Sequence, residues 1–247
     1  MSIFFWKRAP KPTFDALLAP DQPFFAVGDI HGRLDLLQDL LRRLEKAGHA
    51  EVKLVCVGDY IDRGDQSREV LNLLQSLQAD DPGSLVCLLG NHEQMLLDFL
   101  EDPARSGPRW LLHGGLQTFA SYGISPLSQT APREEWEIAR NKFREVLGNT
   151  EGWLRGLPRV WQTGNVAVVH AAADPALPID KQTEKTLLWG HKDFGRTSRQ
   201  DGIWVVHGHT IVDHPKAING RISVDTGGYA TGLLTAALVE QGSLRFL

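Results

Sequence analysis

Short, unbroken apolar runs alternate with glycine-bounded polar motifs along the N-terminal part of the chain. PFFAV (23–27) leads into GDIHG (28–32), KLVCV (53–57) into GDYIDRG (58–64), and SLVCLL (84–89) into GNHE (90–93). Runs of this length, rich in Val, Leu and Phe and lacking polar alternation, predict strands buried on both faces. The intervals between them are helix-periodic. Leucines at 34, 36, 37, 40, 41 and 44 form one stripe over 33–47, ended by Gly48. Over 67–78, Ser67 is a candidate N-cap and Leu71, Leu74 and Leu77 turn inward. Strand–helix–strand–helix–strand predicts a parallel sheet with right-handed crossovers. The polar motifs then share the carboxyl edge of that sheet, where such sheets place their sites.

From 94 to 157 the strand signals vanish. Trp110, Phe119, Trp136, Phe143, Leu147, Trp153 and Leu154 recur at helical intervals, which predicts several helices interrupted over 123–132. Strands return in NVAVVH (165–170), GIWVVHGHT (202–210), RISVDTGG (221–228) and LLTAALVE (233–240). The last three are expected to pair antiparallel, with Ile218-Asn219-Gly220-Arg221 as a hairpin turn. The expected fold is α/β (α+β): a mixed two-sheet β-sandwich flanked by helices, forming one domain over 23–247. A flexible leader is expected over 1–22. Its apolar patch precedes Lys7 and Arg8, the reverse of a secretory signal. No apolar run reaches the ~18 residues of a spanning helix, so the cytoplasm is expected and no membrane partner. Phe4, Phe5 and Trp6 offer at most a weak surface anchor.

Composition narrows the field. The chain has 247 residues, 42% hydrophobic and 23% charged, with a net charge of −4. Nothing in that balance draws the whole molecule to nucleic acid. An anionic substrate would need local positive charge, which bound metal can supply. Cys56 and Cys87 lie inside apolar runs and read as buried free thiols of a reducing compartment.

Candidate chemistry sits at the strand ends. Alternation would place Asp29 and His31 on one side, so that a carboxylate and an imidazole share an ion. Asp59 holds the same place on the next strand and can reach that ion and a second. Asn91 adds an oxygen donor, and His170 and His209 add nitrogen donors from later strands. Singly, the Asp-x-His pair is compatible with a loop hydrogen bond, Asn91 with a helix cap, and His170 with a core histidine. His207, two residues before His209, reads as a core histidine. Together, groups ending five separate apolar runs predict a dinuclear metal site.

GDIHG, GDYIDRG and GNHE in this order, with later HA and GHT elements, resemble the phosphoprotein phosphatase family of the calcineurin-like metallophosphoesterases. The likeness runs from about Phe24 to Leu238 and is strongest to bacterial serine/threonine-phosphatase-like members. It implies one metal on Asp29, His31 and Asp59, and another on Asp59, Asn91, His170 and His209. It further implies His92 as general acid, Asp62 as the group orienting it, and Arg63 on the phosphate. Two divalent ions are implied, with Mn²⁺ expected and Fe or Zn²⁺ also suited to O and N donors. Leu89 and His191 stand where relatives carry phosphate-binding arginines. Arg196 or Arg199 could compensate, His191 is itself a candidate substrate contact, and His113 with Gly114 and Gly115 could line the substrate groove. Asp225 reads as a turn or supporting residue. The expected activity is phosphomonoester hydrolysis on a phosphoprotein or small phosphoester. A diadenosine tetraphosphate-type hydrolase is the alternative, and an inactive phospho-recognition scaffold the remote one.

Overall fold

The computed structural model describes residues 14–49 and 51–247, so the reading of Phe4, Phe5 and Trp6 lies outside the described residues. Strands β1 (Phe24–Val27), β2 (Lys53–Cys56) and β3 (Leu85–Cys87) pair in parallel, connected through α1 (Leu34–Lys46) and α2 (Ser67–Asp80). A helical stretch follows: α3 (Asn91–Glu101), α4 (Pro103–Trp110), a π-turn over Leu111–Gly115, α5 (Leu116–Ser121), α6 (Arg133–Leu147) and α7 (Thr150–Arg155). Then come β4 (Val160–Thr163), β5 (Val166–Val169), α8 (Glu184–Trp189), β6 (Trp204–His207), β7 (Lys216–Ile218) and β8 (Arg221–Ser223). The chain closes with α9 (Gly228–Thr231), β9 (Ala236–Glu240) and β10 (Ser243–Phe246).

The sheets have the orders β10-β9-β1-β2-β3 and β4-β5-β6-β8-β7. Phe24, Ala26 and Val55 of the first sheet, with Leu88 just past β3, pack against Val166, Val168, Val206 and Ile222 of the second. The opposite face of the first sheet, with Phe25, Val27 and Cys56, packs on the helices around Trp110, Phe119 and Phe143. The second sheet covers its other face with Ile179, Leu187 and Phe194. Burial on both faces is what the unbroken apolar runs require.

Two expectations are corrected. β6 and β8 pair in parallel, not antiparallel. β9 leaves that sheet and inserts antiparallel between β1 and β10. Ala236 to Val239 are all buried, which suits an interior strand and not an edge. The hairpin itself forms between β7 and β8, with Asn219 at φ 50° and Gly220 at φ 76°, as a two-residue primed turn requires. The stretch read as the end of a leader is held from Phe14 onward. The Phe14 ring meets Trp204 edge-on at 5.0 Å, and the Trp204 indole donates to the Ala16 carbonyl at 2.8 Å. Among the described residues no helix is long and apolar enough to cross a membrane.

Candidate metal centre

The ends of β1, β2 and β6 are each followed by a tight, strained turn. His31, Asp59, Asp62, Arg63 and His209 all adopt left-handed backbone, with φ of 47°, 54°, 72°, 68° and 62°. That region disfavours side chains bearing Cβ, so their clustering here marks a site held in place by its surroundings. It also corrects the alternation argument. β1 ends at Val27, and Asp29 and His31 converge because the chain turns, not because a strand alternates.

The turns bring the donors together. The His31 Nε2 lies 3.6 Å from Asp59 Oδ2, and the His170 Nε2 lies 3.4 Å from Asp59 Oδ1. Asn91 Oδ1 is 2.8 Å from His170 Nε2. The clusters His31–Asp59–His92 and Asp59–His170–His209 each gather donor atoms within 4.8 Å of one another. The Asp29 carboxylate accepts the His209 backbone N–H at 3.1–3.2 Å. Each of two histidines has its other nitrogen committed: His31 Nδ1 donates to Ile61 O at 2.8 Å and His170 Nδ1 to Val57 O at 3.0 Å. That pattern fixes the tautomer in which Nε2 offers its lone pair to an ion.

The electrostatics match a cation site. Burial holds His31 neutral, with its pKa lowered to about 3, and His209 likewise to about 4. Burial opposes charge on Asp59, but the imidazoles of His170, His92 and His31 outweigh it, so that carboxylate is ionised. Burial, then the neighbouring Asp225 and Asp59 carboxylates, push Asp29 well above the ordinary range. Buried carboxylates crowded against neutral imidazoles form a donor set of oxygen and nitrogen without thiolate. Such a set fits divalent ions, whose charge relieves the crowding.

A second group lies against this cluster. His92 Nδ1 donates to Asp62 Oδ2 at 2.6 Å, and Arg63 Nη2 is 3.2 Å from His92 Nε2. Burial would depress the His92 pKa, but the carboxylates of Asp59 and Asp62 raise it above the ordinary value. Asp62 in turn accepts from Trp110 Nε1 at 3.0 Å and from Thr118 Oγ1 at 2.6 Å. Ser67 is not an N-cap: its hydroxyl accepts the Asp62 N–H at 3.1 Å. Nor does Asn91 cap α3, whose N-cap is Gly90.

Sequence reasoning missed several supporting residues. Glu93 accepts four backbone N–H groups, those of Asp59, Tyr60, Ile61 and Gly90, at 2.8, 2.8, 3.3 and 3.0 Å. It thereby ties the second motif to the third, while burial and then Asp59 push its pKa to about 8. Tyr229 lies beneath the Arg63 guanidinium at 4.6 Å and was not foreseen. Trp110, Thr118 and Tyr229 carry no local signal, since each reaches the site only through folding.

The proposed substrate contacts fare unequally. Arg199 is buried, paired with Asp201, and donates to the carbonyls of Asp174 and Leu177. It clamps its own loop and is not free to meet a substrate. Arg196 is exposed on the neighbouring turn. His113 is also exposed, its Nδ1 2.8 Å from the Arg109 carbonyl. Gly114 is the residue of that segment that meets the site: its carbonyl accepts the Arg63 N–H at 3.2 Å. Its φ is +110°, and a Cβ there would stand 2.6 Å from the Arg63 nitrogen. His191 is half-buried, 3.7 Å from Asp174. Leu89 is buried in the helical-side core. His207 is buried, with Nε2 3.0 Å from Ser223 Oγ, as expected of a core histidine.

The family profile described as calcineurin-like phosphoesterase matches residues 22–222. The chain is 30% identical over 223 residues to the bis(5'-nucleosyl)-tetraphosphatase PrpE (asymmetrical) of Bacillus velezensis, covering 81% of this chain and 82% of that one. It is 28% identical over 225 residues to serine/threonine-protein phosphatase 2 of Salmonella typhimurium, covering 85% and 90%. In fold it is similar to a cold-active protein-tyrosine phosphatase of a psychrophilic Shewanella, with a TM-score of 0.60 at 20% identity over 94% of this chain and 83% of that one.

Proposed function

We propose a reaction and a substrate class for this chain from one premise: it belongs to the calcineurin-like phosphoesterase family and is a metallophosphoesterase, a phosphoester hydrolase. Its substrate, on our reading, is a phosphomonoester, with a phosphorylated serine or threonine side chain as the nominal class. The observation that carries this is the Asp62–His92–Arg63 group set against the imidazole–carboxylate cluster.

One ion would be held by Asp29, His31 and Asp59, and the other by Asp59, Asn91, His170 and His209. Bound there, divalent ions supply the Lewis acidity that activates water and offsets phosphoryl charge. Mn²⁺ is the first candidate, with Fe or Zn²⁺ as alternatives. Arg63 offers a planar fork to two phosphoryl oxygens, and the ring of Tyr229 supports that fork from below. With Nδ1 committed to Asp62, His92 presents Nε2 as the atom that delivers a proton to the leaving oxygen. Asp62 orients that ring and balances its charge, as the carboxylate of a catalytic dyad does. Trp110 and Thr118 hold Asp62 in turn. Buried free thiols at Cys56 and Cys87 support placement in the cytoplasm.

The second reading is hydrolysis of a dinucleoside polyphosphate, favoured by the likeness to the bis(5'-nucleosyl)-tetraphosphatase PrpE. Rates on a phosphoserine peptide, a phosphotyrosine peptide and diadenosine tetraphosphate, measured side by side with Mn²⁺, separate the two. Chelation is expected to remove activity and Mn²⁺ to restore it. Asp59→Asn should reduce turnover to background, because both ions lose their shared ligand; wild-type turnover in that variant would overturn the assignment. A marked preference for diadenosine tetraphosphate would replace the nominal substrate class.

A further inference from the structure

A recess of about 400 Å³ opens on the outer face of the second sheet. Its wall is the β7–β8 hairpin. The register pairs Lys216 with Ser223 and Ile218 with Arg221, and strand alternation then sets all four side chains on one face. β6 adds His207, the register partner of Ser223, and Phe194 closes the opposite side. Ala171 and Thr210, which directly follow His170 and His209 in the chain, also line it. The recess therefore adjoins the metal centre.

Its chemistry is specific. No carboxylate lines it. Among the described residues neither Lys216 nor Arg221 has an acidic side chain within 4.0 Å. Arg221 finds only the Thr197 carbonyl at 3.2 Å and the Phe194 ring at 5.8 Å. Burial alone depresses its pKa, as for a cation lacking its counter-charge. Two unpaired cations select an anion. The Phe194 and Ile218 walls select an apolar, flat group attached to it. The volume is that of a small-molecule site, too small to admit a folded partner.

We propose that this recess binds a nucleoside phosphate, its phosphate on Lys216 and Arg221 and its base against Phe194 and Ile218. Binding stands apart from the hydrolase reading. Only its consequence, a bias of the adjoining centre towards nucleotide esters, rests on that reading. Lys216, Arg221, Phe194 and Ile218, the residues that would hold the ligand, all lie outside the metal-ligand motifs.

Calorimetric titration of AMP into the full chain treated with EDTA tests this without turnover. Wild type is expected to bind AMP, with adenosine and inorganic phosphate each at least about tenfold weaker, since each offers half the ligand. Lys216→Glu should weaken AMP by about tenfold or more, and Phe194→Leu should weaken AMP and adenosine but not phosphate. Lys216 is exposed, so its variant keeps the fold, as a thermal melt would verify. Undetectable AMP binding at millimolar concentration, unchanged affinity in Lys216→Glu, or phosphate binding as tight as AMP would overturn the proposal. Failure of the hydrolase reading would appear elsewhere, as absent turnover on every phosphoester with Mn²⁺.

Discussion

The residues with most at stake are those whose backbone is strained. Five candidate site residues occupy left-handed conformations, at about 1–3 kcal/mol each when surroundings must enforce them. Glu93 is the chief enforcer, because its carboxylate gathers four N–H groups around Asp59. His92 can be probed through its leaving group. His92→Asn is expected to lower kcat on a phosphoserine peptide by about 10²–10⁴, and far less on p-nitrophenyl phosphate, whose leaving oxygen needs no proton. Equal losses on both would remove the general-acid role. Arg63 and Arg199 should separate cleanly. Arg63→Ala is expected to weaken inhibition by phosphate with little change in melting temperature. Arg199→Ala should leave that inhibition intact but cost about 1–3 kcal/mol, for the carbonyls and carboxylate it leaves behind, read by urea denaturation.

At the scale of elements, the site depends on where turns meet. The π-turn after α4 carries Gly114, whose carbonyl receives the Arg63 N–H. A side chain there would be strained by φ +110° and would stand 2.6 Å from the Arg63 nitrogen. Gly114→Ala is therefore expected to raise the inhibition constant for phosphate severalfold and to lower the melting temperature. An unaltered constant would mean that this contact does not position Arg63. The parallel β1–β2–β3 unit was legible because each strand is buried on both faces and each helix has one apolar stripe. The antiparallel place of β9 was not. Its apolar run is equally suited to either sheet, and pairing with the open edge of β1 decides between them.

For the whole molecule, burial of histidines couples stability to pH. The pKa of His31 falls to about 3, and those of His207 and His209 to about 4, chiefly through burial. The unfolded chain holds these groups near 6.5 and so binds more protons below that value, which makes stability rise with pH. These three rings thus act to lower the melting temperature of the metal-free protein from about pH 6.5 towards 4, while Glu93 and Asp29, whose carboxyls burial pushes above the ordinary range, act in the opposite sense. Removing one ring isolates its share: His207→Asn should make the profile less steeply rising with pH across that window, and an unchanged profile would contradict the burial of that ring. Divalent metal should raise the melting temperature by mass action and shift the decline to lower pH, since protons and ions compete for His31 and His209. By itself, the sequence determined the strands, the order of motifs and the donor types, because periodicity and residue chemistry are local properties. Tertiary structure decided what supports them. Trp110 and Thr118 reach Asp62 from 48 and 56 residues away, and Tyr229 reaches Arg63 from the far end of the chain. It also withdrew Arg199 from the site, by closing its own loop around it. Such contacts are set by packing between distant segments, and no local spacing encodes them.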